Sequence, residues 1–439
     1  QEGLPRVTLV ILNRWSLQDI LTRPHSYITE LAHQGALGLM NTRTGGGLTP
    51  ENAFVSLGGG MRLVGSSGAN LTLPARAQYN GEMVAGIYRR YTGFDVEPDT
   101  YVVLDIENIK ANNATSLGIT DVGLLGETLR QGGMETVLIG HGDDGRHPRW
   151  GALVAMDARG QIPKVVLGPG ISQIDTSFPS GRRIDPLSLA TAYATARDEG
   201  RLIVVELGDL DGIENERRQI APKLYEHYRR SALDSADIFL EEIMAKIDLT
   251  QEWVLLSSPL PAHGEALEGR LLTPVIALGP GIRPGLLSSA TTRRPGVVAN
   301  YDIAYTILHW LKLPTSANLP GAALGTATNG KDKGEYLHNL LWRSGLTYRQ
   351  RPVLLKSYVS LEIIIYIVVF ALVIIFPGIP GGLVDALAFA LLFVAAVPLA
   401  LLILPLLRPL TVEAAFLYTG VGAAVMAGTA LRLTPEIKI

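Results

Sequence analysis

The chain has 439 residues, a formal net charge of −3 and no cysteine. The near-neutral charge argues against a nucleic-acid-binding protein, which normally carries a basic face, and the missing cysteine excludes disulfides, thiolate metal sites and cysteine nucleophiles. Charged residues make up 18% of the sequence, against about 25% in an ordinary soluble domain, and the mean hydropathy is +0.23, so part of the chain must be unusually apolar.

Residues 1–350 alternate short apolar runs with helical patterns. The runs are nearly continuous in apolar character, which is typical of strands that are buried on both sheet faces. They lie at 7–12, 101–106, 136–139, 202–207, 253–256 and 275–278. Helical periodicity predicts helices at 120–130, 185–199, 220–247 and 300–311, and a hairpin is expected from 150–156 and 162–167. The pattern predicts an α/β domain with a mostly parallel sheet and helices on both faces.

A glycine-rich loop precedes the helix that is expected to begin near Pro50. In one interpretation its backbone amides and Arg43 bind an anion at the helix N-terminus; the glycines concerned are Gly45, Gly46 and Gly47. Thr49 would then be a candidate nucleophile, although no activating base or metal ligand is evident nearby in the sequence. In the other interpretation Thr49 is only the N-cap and Pro50 the first helical residue.

A second polar loop follows the strand predicted at 136–139. Open α/β sheets bind ligands at the carboxyl ends of their strands, so this loop is a candidate metal or catalytic site. Its candidate residues are His141, Asp143, Asp144 and His147. The alternative is a Gly-Asp turn whose carboxylates cap backbone amides.

The apolar excess lies at the C-terminus. The segments 357–376, 386–407 and 414–431 each approach or exceed the roughly 20 apolar residues that a helix needs to span a bilayer. They contain one charge, Glu362, near the start of the first segment, so transport is not expected. We predict a three-helix membrane domain over 351–439 that contacts the lipid bilayer.

Two features disagree on the orientation of this membrane domain. Basic residues gather on the side of the first span that holds residues 1–350, which favours a cytoplasmic N-terminal domain. The sequence begins with Gln1 instead of methionine, which is typical of a removed secretory signal, and long exported domains override the charge rule. We expect the domain over 1–350 to lie outside the cytoplasm.

Three segments of this domain occur in an order that resembles the alkaline phosphatase superfamily, which includes sulfatases, nucleotide phosphodiesterases and cofactor-independent phosphoglycerate mutases. Residues 48–58, Leu-Thr-Pro-Glu-Asn-Ala-Phe-Val-Ser-Leu-Gly, are similar to the helix start that carries the nucleophile. Residues 272–282 are similar to the strand and loop after the last metal ligands, and residues 298–311 to the closing helix. The resemblance covers about residues 5–315 and implies an alkaline-phosphatase-like sheet.

Active members of that superfamily hold two divalent cations, usually zinc, through aspartates and histidines. The resemblance places the family's pocket on Asn13, Leu48, Thr49, Asp209, Asp211 and Ser258. Asn13 replaces an aspartate, no histidine follows Asp209 or Asp211 by four residues, and residues 257–260 lack the expected Ser-Asp-His-Gly motif. The resemblance therefore implies a degenerate site that holds no metal and uses no cofactor.

Two functions remain open. The first is a membrane-anchored, catalytically degenerate phosphatase-like protein that acts as a binding or scaffold module, or as a subunit of a membrane complex with other proteins. The alternative is an active hydrolase of phosphate or sulfate esters, with an altered site and bound zinc, in which Thr49, Asp209, Asp211 and the loop at 141–147 take part. We favour the first.

Overall fold

The computed structural model describes residues 5–114, 122–140, 149–315, 319–328, 332–376, 378, 380–407, 409 and 411–433. The chain divides into two compact units. The α/β unit consists of Gln1–Leu267 and Leu271–Leu341, and the helical unit of Glu268–Arg270 and Trp342–Ile439.

All the strands of the described residues lie in the α/β unit. In chain order they are β1 (Arg6–Ile11), β2 (Ala36–Asn41), β3 (Thr72–Pro74), β4 (Gln78–Tyr79), β5 (Glu82–Met83), β6 (Tyr101–Val103), β7 (Thr136–Gly140), β8 (Gln161–Ile162), β9 (Lys164–Val166), β10 (Ser172–Ile174), β11 (Arg182–Ile184), β12 (Leu202–Glu206), β13 (Glu252–Ser257), β14 (Leu272–Leu278), β15 (Gly285–Ser289), β16 (Val297–Ala299) and β17 (Leu324–Ala327).

The α-helices of the described residues occur in both units. They are α1 (Leu17–Leu21), α2 (Tyr27–Gln34), α3 (Pro50–Gly59), α4 (Val84–Thr92), α5 (Ile106–Asn113), α6 (Leu124–Gln131), α7 (Ala152–Ala155), α8 (Pro186–Glu199), α9 (Asp209–Glu216), α10 (Pro222–Met244), α11 (His263–Leu267), α12 (Asn300–Trp310), α13 (Lys333–Ile375), α14 (Gly381–Leu407) and α15 (Val412–Leu433).

Ten strands form the central sheet. Their order is β17-β15-β2-β14-β13-β1-β12-β7-β9, and β16 pairs with β2. Six of the nine strand pairs are parallel, while β13–β14, β14–β2 and β15–β17 are antiparallel. The predicted mostly parallel sheet is confirmed.

Apolar layers cover both faces of this sheet. Side chains alternate between the faces along a strand, and in β1 Leu9 belongs to one core cluster and Val10 to the other. The first cluster also contains Phe54 of α3, and the second Phe239 of α10. The predicted helices on both faces are therefore present.

Three local predictions are wrong. The run at 101–106 is a strand only to Val103, in a separate three-stranded sheet, and α5 begins at Ile106. The segment expected to be the first hairpin strand, 150–156, contains the buried helix α7 instead, because a short apolar run fits either a strand or a buried helix. The strand β14 runs antiparallel to its neighbours although its apolar run is typical of a parallel strand.

The helical unit contains long apolar helices at the C-terminus, as predicted. Each of α13, α14 and α15 holds a segment that is long and apolar enough to cross a membrane. α14 and α15 pack together through small residues that include Ala396, Ala400 and Ala423. Small side chains let helix backbones approach closely, as is common in membrane helix pairs.

Candidate functional site

The residues that correspond to the family's pocket lie mainly at one edge of the central sheet. β1 runs parallel to β12 on one side and to β13 on the other, so the segments that follow these three strands meet at the carboxyl edge. Asn13 follows β1, Asp209 and Asp211 begin α9 after β12, and Ser258 follows β13. Sheet topology thus brings together residues that lie far apart in sequence.

Asn13 is at the centre of a buried hydrogen-bond network at this edge. Its Nδ2 donates to Asp211 Oδ1 at 2.9 Å, and its Oδ1 accepts from the backbone N of Leu260 at 3.2 Å. Asn13 is 2% exposed and Asp211 8% exposed. A carboxylate at position 13 has no proton to donate to Asp211, so the amide is the group that fits this contact.

Arg14 supplies a positive charge beside Asp211. Its Nε donates to Asp211 Oδ1 at 3.2 Å, and its Nη1 donates to the carbonyl O of Pro261 at 3.1 Å. Burial raises the pKa of Asp211, whereas the nearby Arg14 charge and the hydrogen bonds from Arg14 and Asn13 act to lower it. Arg14 did not figure in the sequence analysis, and the only signal for it was its place directly after Asn13.

The other two pocket residues on this edge have structural contacts. Both carboxylate oxygens of Asp209 accept from the backbone N of Ile184, at 3.1 and 3.2 Å, and burial raises the pKa of Asp209 to about 7. Ser258 is fully buried and its Oγ donates to the carbonyl O of Leu260 at 2.7 Å. Both side chains therefore hold neighbouring segments in place.

The network continues along α9 and α10. Glu214 Oε1 accepts from Tyr225 Oη at 2.6 Å and from Arg229 Nη1 at 3.4 Å. Arg229 Nη2 donates to Asp19 Oδ2 at 2.8 Å, and its Nη1 to the carbonyl O of Arg14 at 3.3 Å. Asp211, Glu214 and Asp19 are thus paired with guanidinium groups inside the protein, which offsets part of the cost of burying their charge.

The glycine-rich loop lies on the same edge but further along the sheet. β2 is three positions from β1, which corresponds to roughly 14 Å at about 4.8 Å per strand. The backbone N of Gly45 donates to Leu63 O at 3.0 Å and that of Gly46 to Thr44 Oγ1 at 3.2 Å. Two of the three candidate amides are therefore already paired, and anion binding by Gly47 and Arg43 stays a prediction.

Thr49 occupies the N-cap position of α3, with Pro50 as the first helical residue. Its side chain makes no capping hydrogen bond, and its Oγ1 is buried without a hydrogen-bond partner. Leu48 is 39% exposed. The nucleophile position of the family thus falls on a surface leucine and on a threonine whose hydroxyl is not held by a base in the described structure.

The polar loop of His141, Asp143, Asp144 and His147 lies outside the described residues, so its role stays a prediction.

Glu206 is a buried carboxylate at the end of β12 that the sequence analysis did not identify. Its Oε2 accepts from the backbone N of Gly151 at 2.9 Å, and burial, together with the Asp211 charge, raises its pKa to about 8. A glutamate at the end of an otherwise apolar run was the available signal.

Within the described part of this edge, the donor set does not fit zinc. Among the described residues there is no group of three or more histidine, aspartate or glutamate side chains placed to hold a metal ion. A zinc site needs about three or four protein ligands, whereas Asp211 Oδ1 already accepts from Asn13 and Arg14. The described side chains of this edge hold segments together, and among them no pair of open metal positions is present.

Comparison with known proteins gives structural likeness only. Neither a protein-family model nor a curated protein matches the chain. Among solved structures, the chain is similar to a protein in the alkaline phosphatase superfamily from Vibrio parahaemolyticus, with 13% identity, a TM-score of 0.42, and coverage of 73% of this chain and 70% of that one. It is also similar to alkaline phosphatase from the Antarctic bacterium TAB5, with 11% identity, a TM-score of 0.39, and coverage of 72% and 100%.

A third similar structure is the lipoteichoic acid synthase LtaP from Listeria monocytogenes, with 11% identity, a TM-score of 0.40, and coverage of 73% of this chain and 75% of that one. The similar structures thus include members of the superfamily that the sequence motifs resemble. Identities of 11–13% bear on the fold alone, so the chemistry of this chain has to be inferred from its own residues.

Proposed function

We propose that the α/β unit is a non-catalytic, phosphatase-like module which the helical unit attaches to a membrane, and which works without a metal as a binding or scaffold module or as a subunit of a membrane complex. The observation that carries this proposal is the contact of Asn13 Nδ2 and Arg14 Nε with Asp211 Oδ1, at 2.9 and 3.2 Å. The carboxylate that could serve a metal is paired with an amide and a guanidinium instead.

Hydrolysis by two metal ions needs cations that stabilise both the attacking and the leaving oxygen, and each cation needs an open position for substrate. The positive charge beside Asp211 belongs to Arg14, whose side chain is 19% exposed and bound on two sides. A guanidinium has no empty coordination position and cannot generate a metal-bound nucleophile. We therefore infer that the residues of this edge stabilise the fold and do not catalyse hydrolysis.

A hydrolase screen on the full chain in detergent tests the catalytic part of this proposal. We expect no turnover of phosphate monoester, phosphate diester or sulfate ester substrates above that of the Thr49→Ala, Asp211→Asn double variant. Turnover by the natural sequence that this variant abolishes would contradict the proposal.

The alternative, an ester hydrolase with an altered site, is favoured by one observation. Thr49 Oγ1 is buried, unpaired and located at the first turn of α3, where helix amides favour negative charge. Thr49→Ala alone separates the alternatives. If threonine is the nucleophile, this variant loses all turnover, whereas Thr42→Ala, whose hydroxyl donates to Leu271 O at 2.9 Å, keeps it.

The complex-subunit part of the proposal is tested separately. Three linked spans offer more lipid-facing surface than a single anchor requires, and we expect them to contact other membrane proteins. Detergent-solubilised membranes analysed on a native gel should show the chain well above the position of its 47.2 kDa monomer. Migration at the monomer position in mild detergent would contradict it.

A further inference from the structure

A cleft in the α/β unit lies outside the Asn13 network. It has a volume of about 250 Å³ and is bordered by the β4–β5 hairpin, α4 and the segment that leads into β3. Its floor is apolar and is formed by Leu71, Ile87 and Leu104, of which Ile87 and Leu104 are 7% and 8% exposed. Ligand sites are typically concave and apolar with a few fixed polar groups, and this cleft has that character.

Asp105 is the charged group that the cleft leaves unbalanced. Its Oδ2 accepts from Ser66 Oγ and its Oδ1 from Asn108 Nδ2 at 2.6 Å, and both donors are neutral. Glu82, the second acid of the lining, is paired with Arg90 at 2.8 Å. Two acids and one base therefore line the cleft, and within the described structure the carboxylate of Asp105 has no cationic partner.

Two aromatic rings line the same cleft as this carboxylate. Tyr79 and Tyr91 line the cleft, and Tyr91 is 61% exposed. The guanidinium carbon of Arg90 lies 5.5 Å from the ring centre of Tyr91, so Tyr91 already has a cation partner, and among the described residues Tyr79 is the lining ring without one. A carboxylate, an aromatic ring and an apolar floor are together complementary to a cation that carries an apolar body.

Gly68 allows the carboxylate of Asp105 to lie close to the backbone of the cleft. A Cβ atom on Gly68 would lie 2.8 Å from Cγ of Asp105, so only glycine allows the observed approach. The Asp105 position itself is fixed by its place between β6 and α5. The carboxylate is therefore held before any ligand arrives, which lowers the cost of binding.

We propose that this cleft binds a small amine with an apolar body. The ammonium group contacts Asp105 and the ring of Tyr79, and the apolar body lies on Leu71, Ile87 and Leu104. The inference goes beyond the function proposed above, since the cleft shares no residue with the Asn13 network and its occupancy does not depend on whether that edge is catalytic.

The test uses the full chain in detergent and titration calorimetry with three probes of similar size. Phenethylamine carries the cation, 2-phenylethanol is its neutral counterpart, and phenylacetate is an anion. We expect saturable binding of phenethylamine, with affinity roughly tenfold or more above that of the alcohol, as for hydrogen bonds to charged groups, and no measurable binding of phenylacetate.

The variant Asp105→Asn keeps the acceptor for Asn108 and removes the charge, and it should lower phenethylamine affinity by roughly tenfold or more. Asp99→Asn is the matched control, because Asp99 is an exposed acid that pairs with Arg76 and does not line the cleft. Equal affinity for the amine and the alcohol, tighter binding of phenylacetate, or unchanged amine binding by a folded Asp105→Asn protein would overturn the proposal. If that variant does not fold, the comparison of the three probes on the natural sequence decides.

Discussion

Arg14 combines an uncommon backbone conformation with a charge contact. Its φ is 66°, in the left-handed region that non-glycine residues rarely occupy and that costs energy for them. Its side chain meanwhile links Asp211 on α9 with the carbonyl of Pro261. We expect Arg14 to stabilise the fold because its charge balances the buried carboxylate of Asp211.

Replacement of Arg14 by alanine should destabilise the α/β unit by about 2–4 kcal/mol, because it leaves the buried Asp211 carboxylate without its charge partner. Chemical denaturation of the full chain in detergent, followed by tryptophan fluorescence, measures this. Adding Asp211→Asn to the same protein should recover part of the loss, since the uncompensated charge is then removed. A double variant that is less stable than Arg14→Ala would contradict the charge explanation.

Glu206 makes the stability of the unit depend on pH. Burial raises its pKa from 4.5 to about 8, so between these values the folded state binds a proton that the unfolded state has released. The contribution of Glu206 to the free energy of unfolding is therefore greatest below about pH 4.5 and decreases as the pH rises to about 8. The slope is at most about 1.4 kcal/mol per pH unit for one proton.

The variant Glu206→Gln should reduce the slope between pH 5 and 8, because the amide keeps an acceptor for the backbone N of Gly151 and cannot ionise, while Asp209, with its pKa raised to about 7, still contributes. Urea denaturation at a series of pH values checks it. Glu97→Gln changes an exposed acid and serves as the control that should leave the slope unchanged. An unchanged slope in Glu206→Gln would show that its carboxyl does not titrate in this range.

The sequence indicated some of the side chains that meet at the Asn13 edge and not others. The resemblance to the alkaline phosphatase superfamily grouped Asn13, Asp211 and Ser258 in one pocket, and in the structure each follows a strand of the central sheet. The partners Arg14 and Arg229 could not be found in this way. Which guanidinium meets which carboxylate depends on side-chain packing between elements, and neither charge pattern nor spacing specifies it.

The contact between α3 and α7 depends on one glycine. A Cβ atom on Gly58 would lie 2.6 Å from the carbonyl O of Leu153 and 2.7 Å from Cα of Val154. Both are backbone atoms, so the two helices could not keep this separation with any larger residue. Gly58 therefore allows the short buried helix α7 to pack directly against α3.

Gly58→Ala should therefore destabilise the unit by about 1–3 kcal/mol through overpacking. Gly86→Ala is the matched control, since Gly86 lies within α4 with nothing within 4 Å of the added atom, and alanine there should stabilise the helix by about 0.5–1 kcal/mol. Thermal unfolding of both variants measures the difference. A Gly58→Ala protein as stable as the natural sequence would contradict the packing explanation.

Elements with a complete local signal were predicted well. The helix expected at 185–199 is observed at Pro186–Glu199, with Asp185 as a hydrogen-bonded N-cap and Gly200 directly after its end. The strand expected at 101–106 was too long because β6 pairs over only three residues with β3. A strand ends where its partner ends, and a partner cannot be identified from the apolar run alone.

At the scale of the whole molecule, we propose that the α/β unit lies outside the cytoplasm. The basic residues before the first span favour the opposite orientation, but long domains are translocated largely regardless of loop charge. One of these residues, Arg349, is also paired with Glu268 at 2.7 Å. Labelling of single cysteines from one side of the membrane tests this orientation directly.

The absence of cysteine makes that measurement simple. Lys246→Cys labels an exposed position of the α/β unit, and Pro380→Cys labels the segment between α13 and α14. On the proposal that α13 spans the membrane once, the two positions should lie on opposite sides. A membrane-impermeant maleimide should modify Lys246→Cys in intact cells and Pro380→Cys only after permeabilisation; the reverse pattern would place the α/β unit in the cytoplasm.

We propose that the sheet edge at Asn13 holds its charges without a metal. Elemental analysis of the full chain, purified in detergent without chelators after growth with added zinc, tests it most directly. We predict zinc and other divalent metals well below one per chain, with no change in thermal stability when a chelator is added. About two metal ions per chain, lost together with stability on chelation, would contradict the claim.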